Sequence, residues 1–176
     1  MDFEIRKILK EDVATMTKWG RFSDSRYHHF NFYYETPEEF DRWYQEKVQG
    51  FFTRTVGVFH HENLIAFISF KKINPLTRNA ELGVIFDSNY VSMGIGTRAL
   101  GEILKEAPYK RVTLYVSSFN VRAYRSYLKL GFRPLGEVFK VFENQMILEE
   151  VSRYPEDFLV KKGVVYGKYL KMNKKL

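Results

Sequence analysis

Ala80-Glu81-Leu82-Gly83-Val84-Ile85-Phe86-Asp87, followed after a short polar exit by Ser92-Met93-Gly94-Ile95-Gly96-Thr97 and then Ala99-Leu100, is the stretch whose reading decides the fold. Residues 80–86 are apolar enough for a strand. Ala99, Leu100, Ile103, Leu104 and Ala107 recur near the helical period until Pro108 stops them. A strand that turns through glycines into a helix is a natural anion seat. The glycines let the backbone approach, and the helix start supplies free N–H groups and the positive dipole end. A pyrophosphate would rest on Ser92, Met93, Gly94, Ile95, Gly96 and Thr97 without needing a lysine or a metal. The turn lacks the Gly-Lys-Ser/Thr ending of a P-loop and does not make the dinucleotide pattern near a first strand. Glycine turns also arise where only the backbone requires them. Arg98 either adds a favourable charge there or is solvated.

Downstream, Arg111 to Val116 reads as a strand and Val121 to Leu130 as a helix, with Asn120 as N-cap and Gly131 as C-cap. Tyr124 and Tyr127 lie three apart, on roughly one side of that helix. Upstream, Phe3 to Ile8 is a first strand and Glu11-Asp12 opens a helix. Thr36-Pro37-Glu38-Glu39 starts another helix, with a capping box and with Phe40, Trp43, Tyr44 and Val48 toward one side. Thr53–Phe59 and Leu64–Phe70 form a hairpin across His60-His61-Glu62-Asn63. Phe132 to Phe142 and Val164 to Leu170 are further strands, the stretch 144–160 reads as an insertion between them, and 171–176 as a frayed basic tail. A meander followed by strand, helix, strand, helix describes one mixed α/β (α+β) domain over 1–176.

Composition narrows the chemistry. With 176 residues, 45% of them hydrophobic, the chain can bury one sizeable core. It has no Cys, which excludes disulfides, a cysteine nucleophile and thiolate metal sites in this chain. The four histidines occur as the adjacent pairs His28-His29 and His60-His61, and adjacent strand residues face opposite ways, so no metal site is expected. No signal-like or membrane-spanning apolar run is present, so a cytoplasmic protein that does not enter a membrane is expected. The net charge of +7 favours anions, a nucleotide cofactor or a nucleic acid.

The two elements together resemble the GNAT superfamily of acetyl-CoA-dependent N-acetyltransferases, in particular its ribosomal-protein N-terminal acetyltransferase branch. Residues 80–87 with Tyr90 and Gly94-Ile95-Gly96-Thr97 resemble the family's fourth strand and pyrophosphate loop. Asn120, Ala123, Tyr127, Leu130, Gly131 and Phe132 fall at the intervals of its later helix. Two departures stand out: Val91 replaces a polar loop-opening residue, and Ser92 a common glycine. Tyr115 also occupies a position where some members carry a glutamate base. The resemblance implies a twisted mixed sheet of about seven strands flanked by helices, with acetyl-CoA as cosubstrate. It implies that the backbone at Val84, Ile85 and Phe86, together with Asn120, holds the pantetheine arm, and that the acetyl group passes directly to an amine. Tyr127 is then the acid for the departing thiolate. Glu81 is the candidate base if its side chain faces the substrate, and Tyr115 and Ser117 are weaker candidates for positioning water or substrate.

The acceptor amine is expected on a protein N-terminus, a peptide or a small molecule. Tyr27, Phe30, Tyr33, Tyr34 and Trp43 are candidate wall residues, and Glu35, Glu38, Glu39 and Asp41 give the mouth an acidity suited to a basic substrate. A homodimer through the final strands is compatible with the resemblance. The rival readings are a non-catalytic acyl-CoA-binding or regulatory module, and a nucleic-acid-binding protein, for which no specific pattern is found.

Overall fold

The computed structural model describes residues 2–176. In chain order it contains strand β1 (Glu4–Arg6), helix α1 (Lys10–Ala14), two 3₁₀ segments (Thr15–Lys18 and Ser25–Phe30), and helix α2 (Pro37–Lys47). Strands β2 (Arg54–His60), β3 (Asn63–Asn74) and β4 (Asn79–Phe86) follow, then helix α3 (Ile95–Glu106), strand β5 (Arg111–Ser117), helix α4 (Val121–Lys129) and strand β6 (Arg133–Val141). Two 3₁₀ turns (Gln145–Glu149 and Val151–Arg153) lead to β7 (Phe158–Lys161) and β8 (Val164–Lys175).

The strands form one eight-stranded sheet in the order β1-β2-β3-β4-β5-β8-β6, with β7 also on β8. Among the described residues only β4 and β5 pair in parallel, because α3 carries the chain back across the sheet between them. The β2–β3 reversal is tight: His60 pairs with Asn63, and His61 and Glu62 both take positive φ, 45° and 65°. On one face Ile68, Leu82, Val112, Leu114 and Met172 pack with Ala99, Leu100 and Leu104 of α3. On the other, Phe59, Leu64 and Phe67 pack with Val13, Met16 and Phe40. Among the described residues, no helix is long and apolar enough to cross a membrane.

Three expectations need correction. The eight-stranded sheet agrees with the expected mixed sheet of about seven strands, but the stretch 144–160 is not wholly an insertion: its end opens β7 (Phe158–Lys161), and Phe158 with Phe142, Ile147 and Val165 builds a small separate core. Residues 171–175 are not a frayed tail: they are the end of β8, wedged between β5 and β6, with Met172 fully buried between the polar Lys171 and Asn173. A strand paired on both edges holds its place even when three of its last five residues are lysines, because the ladder and the buried Met172 suffice. The capping box of α2 closes one residue early: Thr36 Oγ1 accepts from the Glu39 N–H at 3.3 Å, but the Glu39 carboxylate accepts from the N–H of Glu35 at 2.9 Å.

Candidate active site

Pairing between β4 and β5 stops at Leu82–Leu114, although β4 stays paired to β3 as far as Phe86 and β5 to β8 as far as Ser117. The β4 edge from Gly83 to Phe86 is therefore bare toward β5, and the sheet opens there into a cleft of ≈ 530 Å³. An exposed strand edge inside a cavity offers its N–H and C=O groups to an extended ligand, as an added strand would use them.

One end of the cleft is the start of α3. Ser92 and Gly94 take positive φ, 66° and 77°, and Gly94 leaves the helix without a side-chain cap. Intrahelical bonding begins with Arg98 N–H to Gly94 O, so the N–H groups of the first turn remain available to an anion. The two glycines do different work. At Gly94 a Cβ would meet nothing within 4 Å, so the requirement is conformational, whereas at Gly96 it would lie 3.1 Å from the Phe86 ring, so the requirement is close packing of α3 on β4. Ser92, Gly94, Gly96 and Thr97 line the cleft together with Val84, Ile85 and Phe86. The side chains of Met93 and Ile95 do not: Met93 is exposed and Ile95 lies in the core. Arg98 reaches the Phe3 ring, 5.2 Å from its centroid.

Asn120 and Tyr127 of α4 face the same space. The Asn120 side-chain oxygen accepts from Ala123 N–H at 3.2 Å, capping the helix. Tyr127 packs edge-on against Phe132, centroids 5.7 Å apart. Burial pushes its hydroxyl up to about 12, so it stays protonated at neutral pH. Tyr124 packs against the main core, as expected.

Glu81 also lines the cleft, held by two lysines: Lys72 Nζ lies 2.8 Å from one carboxylate oxygen and Lys71 Nζ 3.3 Å from the other. Two consecutive residues reach one carboxylate because β3 is irregular here, with Lys72 at φ 52°. Burial alone raises the Glu81 carboxyl, but the Lys72 hydrogen bond and the charges of Lys71, Lys72 and Lys140 outweigh it and carry the group below its ordinary value.

The far wall is aromatic. Tyr27, Phe30 and Trp43 line it as expected, joined by Phe22, His29 and Phe32. Tyr33 instead is 65% exposed, and Tyr34 stacks on Phe40, centroids 4.8 Å apart. None of Glu35, Glu38, Glu39 and Asp41 reaches the cleft; Asp41 pairs with Lys10, and the mouth carries Glu46 and Lys47 instead. Sequence reasoning missed Lys71, Lys140, Glu143 and Tyr169, which line the cleft from β3, β6, its exit and β8. The alternation of β6 and β8 carried their direction, but only the strand order brings them beside Glu81. Among the described residues, no group of three or more His, Asp or Glu side chains is arranged to hold a metal ion.

The sequence profile described as "Acetyltransferase (GNAT) family" matches residues 18–132, from before the aromatic wall to the end of α4. The chain belongs to the GNAT acetyltransferase family. Comparison with curated protein sequences finds no match. Among solved structures, the Vibrio cholerae spermidine N-acetyltransferase in complex with CoA and spermine superposes with a TM-score of 0.71 at 18% identity, covering 98% of this chain and 95% of that one. A SpeG chimera from Vibrio cholerae and hSSAT gives 0.72 at 18%, covering 99% and 96%. At such identity the likeness establishes the fold. Family membership makes this GNAT chain an acetyl-CoA-dependent N-acetyltransferase. The site suits that cosubstrate: a first-turn N–H cluster for the pyrophosphate, a bare strand edge for the pantetheine amides, and a protonated hydroxyl farther along the cleft.

Proposed function

We propose that this acetyltransferase acts on the α-amine of a peptide or protein N-terminus, as its resemblance to the ribosomal-protein N-terminal acetyltransferase branch implies, with Tyr127 as the acid and Glu81 as a weak, water-assisted base. The observation that carries the acceptor reading is the lysine clamp on Glu81. A carboxylate held below its ordinary value is a poor proton acceptor, so the amine must be nearly neutral when it arrives. An α-amine, with a pKa of about 7.7–8.0, meets that condition near neutral pH, while an alkyl ammonium near about 10.4 does not.

Acetyl-CoA supplies the activated acetyl group, and the protein supplies position and proton transfer. The α3 N-terminus and the edge of β4 from Gly83 to Phe86 fix the donor along the splay. Asn120 lines the same space at the start of α4, and the aromatic wall around Tyr27 and Phe30 orients the acceptor from the opposite side. Tyr127 donates its hydroxyl hydrogen to the departing sulfur, which the raised pKa suits, since the proton is still present at working pH. Holding donor and acceptor in one notch contributes the larger share of the acceleration.

A second reading, a polyamine acceptor, is favoured by the spermidine acetyltransferases that share the fold. Against it, two of the three cleft carboxylates, Glu81 and Glu46, are already matched by Lys71, Lys72 and Lys47, which leaves Glu143. The deciding experiment measures CoA thiol release from acetyl-CoA with three acceptors: a peptide with a free N-terminus, the same peptide N-terminally blocked but containing lysine, and spermidine. Turnover confined to the free N-terminus is expected. Preference for spermidine or for the lysine side chain would overturn the α-amine assignment.

A further inference from the structure

The mechanism leaves Lys140 unexplained. It rises from β6 onto the acceptor floor, its Nζ 3.9 Å from the centroid of the Tyr115 ring and 5.9 Å from that of Tyr169. The two rings come from adjacent strands, with Ser117 opposite Tyr169 and Tyr115 two residues back on the same face. They form a bed that holds an ammonium group by its cation–π attraction while leaving the group open to the cleft. No carboxylate lies within ion-pair distance of Lys140 among the described residues, and Glu81, the nearest strong influence, is shared between Lys71 and Lys72. The cleft lining beside Glu81 thus carries Lys71, Lys140 and Glu143, and Lys72 reaches Glu81 from outside that lining.

A half-buried ammonium on a ring bed, facing a substrate cavity and lacking a paired anion, is a receptor for one. Burial holds the Lys140 ammonium below its ordinary value, partly offset by the charge of Glu81, so a carboxylate that reaches Lys140 directly stabilises its charged form. The opposite acceptor, a polycation, would have to bring further positive charge to the same floor.

We propose that Lys140, seated over Tyr115 and Tyr169, binds a carboxylate of the acceptor, so that the preferred substrate is a primary amine with an acidic group close to the reacting nitrogen. This inference rests on the α-amine reading above and narrows it: the acidic group is either the side chain of an early Asp or Glu in a peptide or the α-carboxylate of a free amino acid.

The test compares kcat and KM for C-terminally amidated hexapeptides beginning Ser-Glu, Ser-Gln and Ser-Lys, and for free glutamate and glutamine, with the wild-type chain and with Lys140→Gln and Lys140→Glu. A wild-type preference of about tenfold or more for Ser-Glu over Ser-Gln is expected, expressed in KM and weakened by salt. It should shrink to within about twofold in Lys140→Gln and turn toward Ser-Lys in Lys140→Glu, while the KM for acetyl-CoA holds steady. A preference for the free amino acids would assign the carboxylate to the α position. Turnover of all three peptides at similar rates, or a preference unchanged by Lys140→Gln, overturns the inference while leaving the α-amine reading intact. Turnover of spermidine alone, when it is run beside these substrates, overturns both. Calorimetric binding of the N-acetylated Ser-Glu and Ser-Gln peptides to the CoA-loaded protein reads the same selectivity without catalysis, and equal affinities would also sink it.

Discussion

Tyr127 and Glu81 illustrate how two groups in one cleft receive opposite assignments from their surroundings. Tyr127 is surrounded by apolar groups and stays protonated; Glu81 is ringed by lysines and stays ionised. Tyr127→Phe keeps the ring packed on Phe132 and removes only the donor, so kcat should drop by about a hundredfold with thermal stability nearly unchanged, measured by thiol release and a melting curve. Because Glu81 lies below its ordinary value of 4.5, its ion cluster stabilises the fold fully above that pH, and the stabilisation disappears as pH falls through the lower folded value. Urea melts should accordingly show a smaller stability difference between pH 7 and pH 3 for Glu81→Gln than for the unaltered chain. The acid limb of kcat/KM should follow the basicity of the acceptor amine when peptides of different N-terminal pKa are compared, since no strong base in the cleft fixes it.

At the scale of elements, the turn from β4 into α3 and the cap-to-cap helix α4 were legible because local rules determine them: glycine where φ is positive, a period of 3.6, and Asn120 ahead of the first turn. Gly94→Ala should cost about 1–2 kcal/mol of stability through its φ of 77° alone. Gly96→Ala acts differently, lifting α3 from the Phe86 ring, and should raise the KM for acetyl-CoA several-fold; Phe86→Leu in the same chain should restore much of it. What the sequence did not disclose depends on long-range pairing. Lys171 to Lys175 look solvated until β5 and β6 are placed on either side of them, and Lys140 looks like an ordinary edge-strand cation until Tyr115 and Tyr169 are found beneath it. The acidic residues at the start of α2 were assigned to the mouth by nearness in sequence to the aromatic segment, whereas the helix turns them outward and brings Glu46 from its last turn instead.

For the whole molecule, β8 is the element on which β5, β6 and β7 all depend. A chain ended after Leu170 would lose the buried Met172 and five of the seven residue pairs between β5 and β8, and should fail to fold rather than lose a dispensable tail; circular dichroism and limited proteolysis would report this. The parallel junction is the contrasting case. Among the described residues, the ladder joining the half-sheet β1–β4 to the half-sheet containing β5, β8 and β6 is confined to 79–82 and 111–114, with Lys110 N–H to Arg78 O just before it, while every other central pairing runs nearly the length of its strands. In mechanical terms that junction is a seam, and a ligand laid along the bare edge of β4 stitches it. Pulled apart between residues on β2 and β6, the molecule should part first along this line, and the force needed should rise when CoA is present.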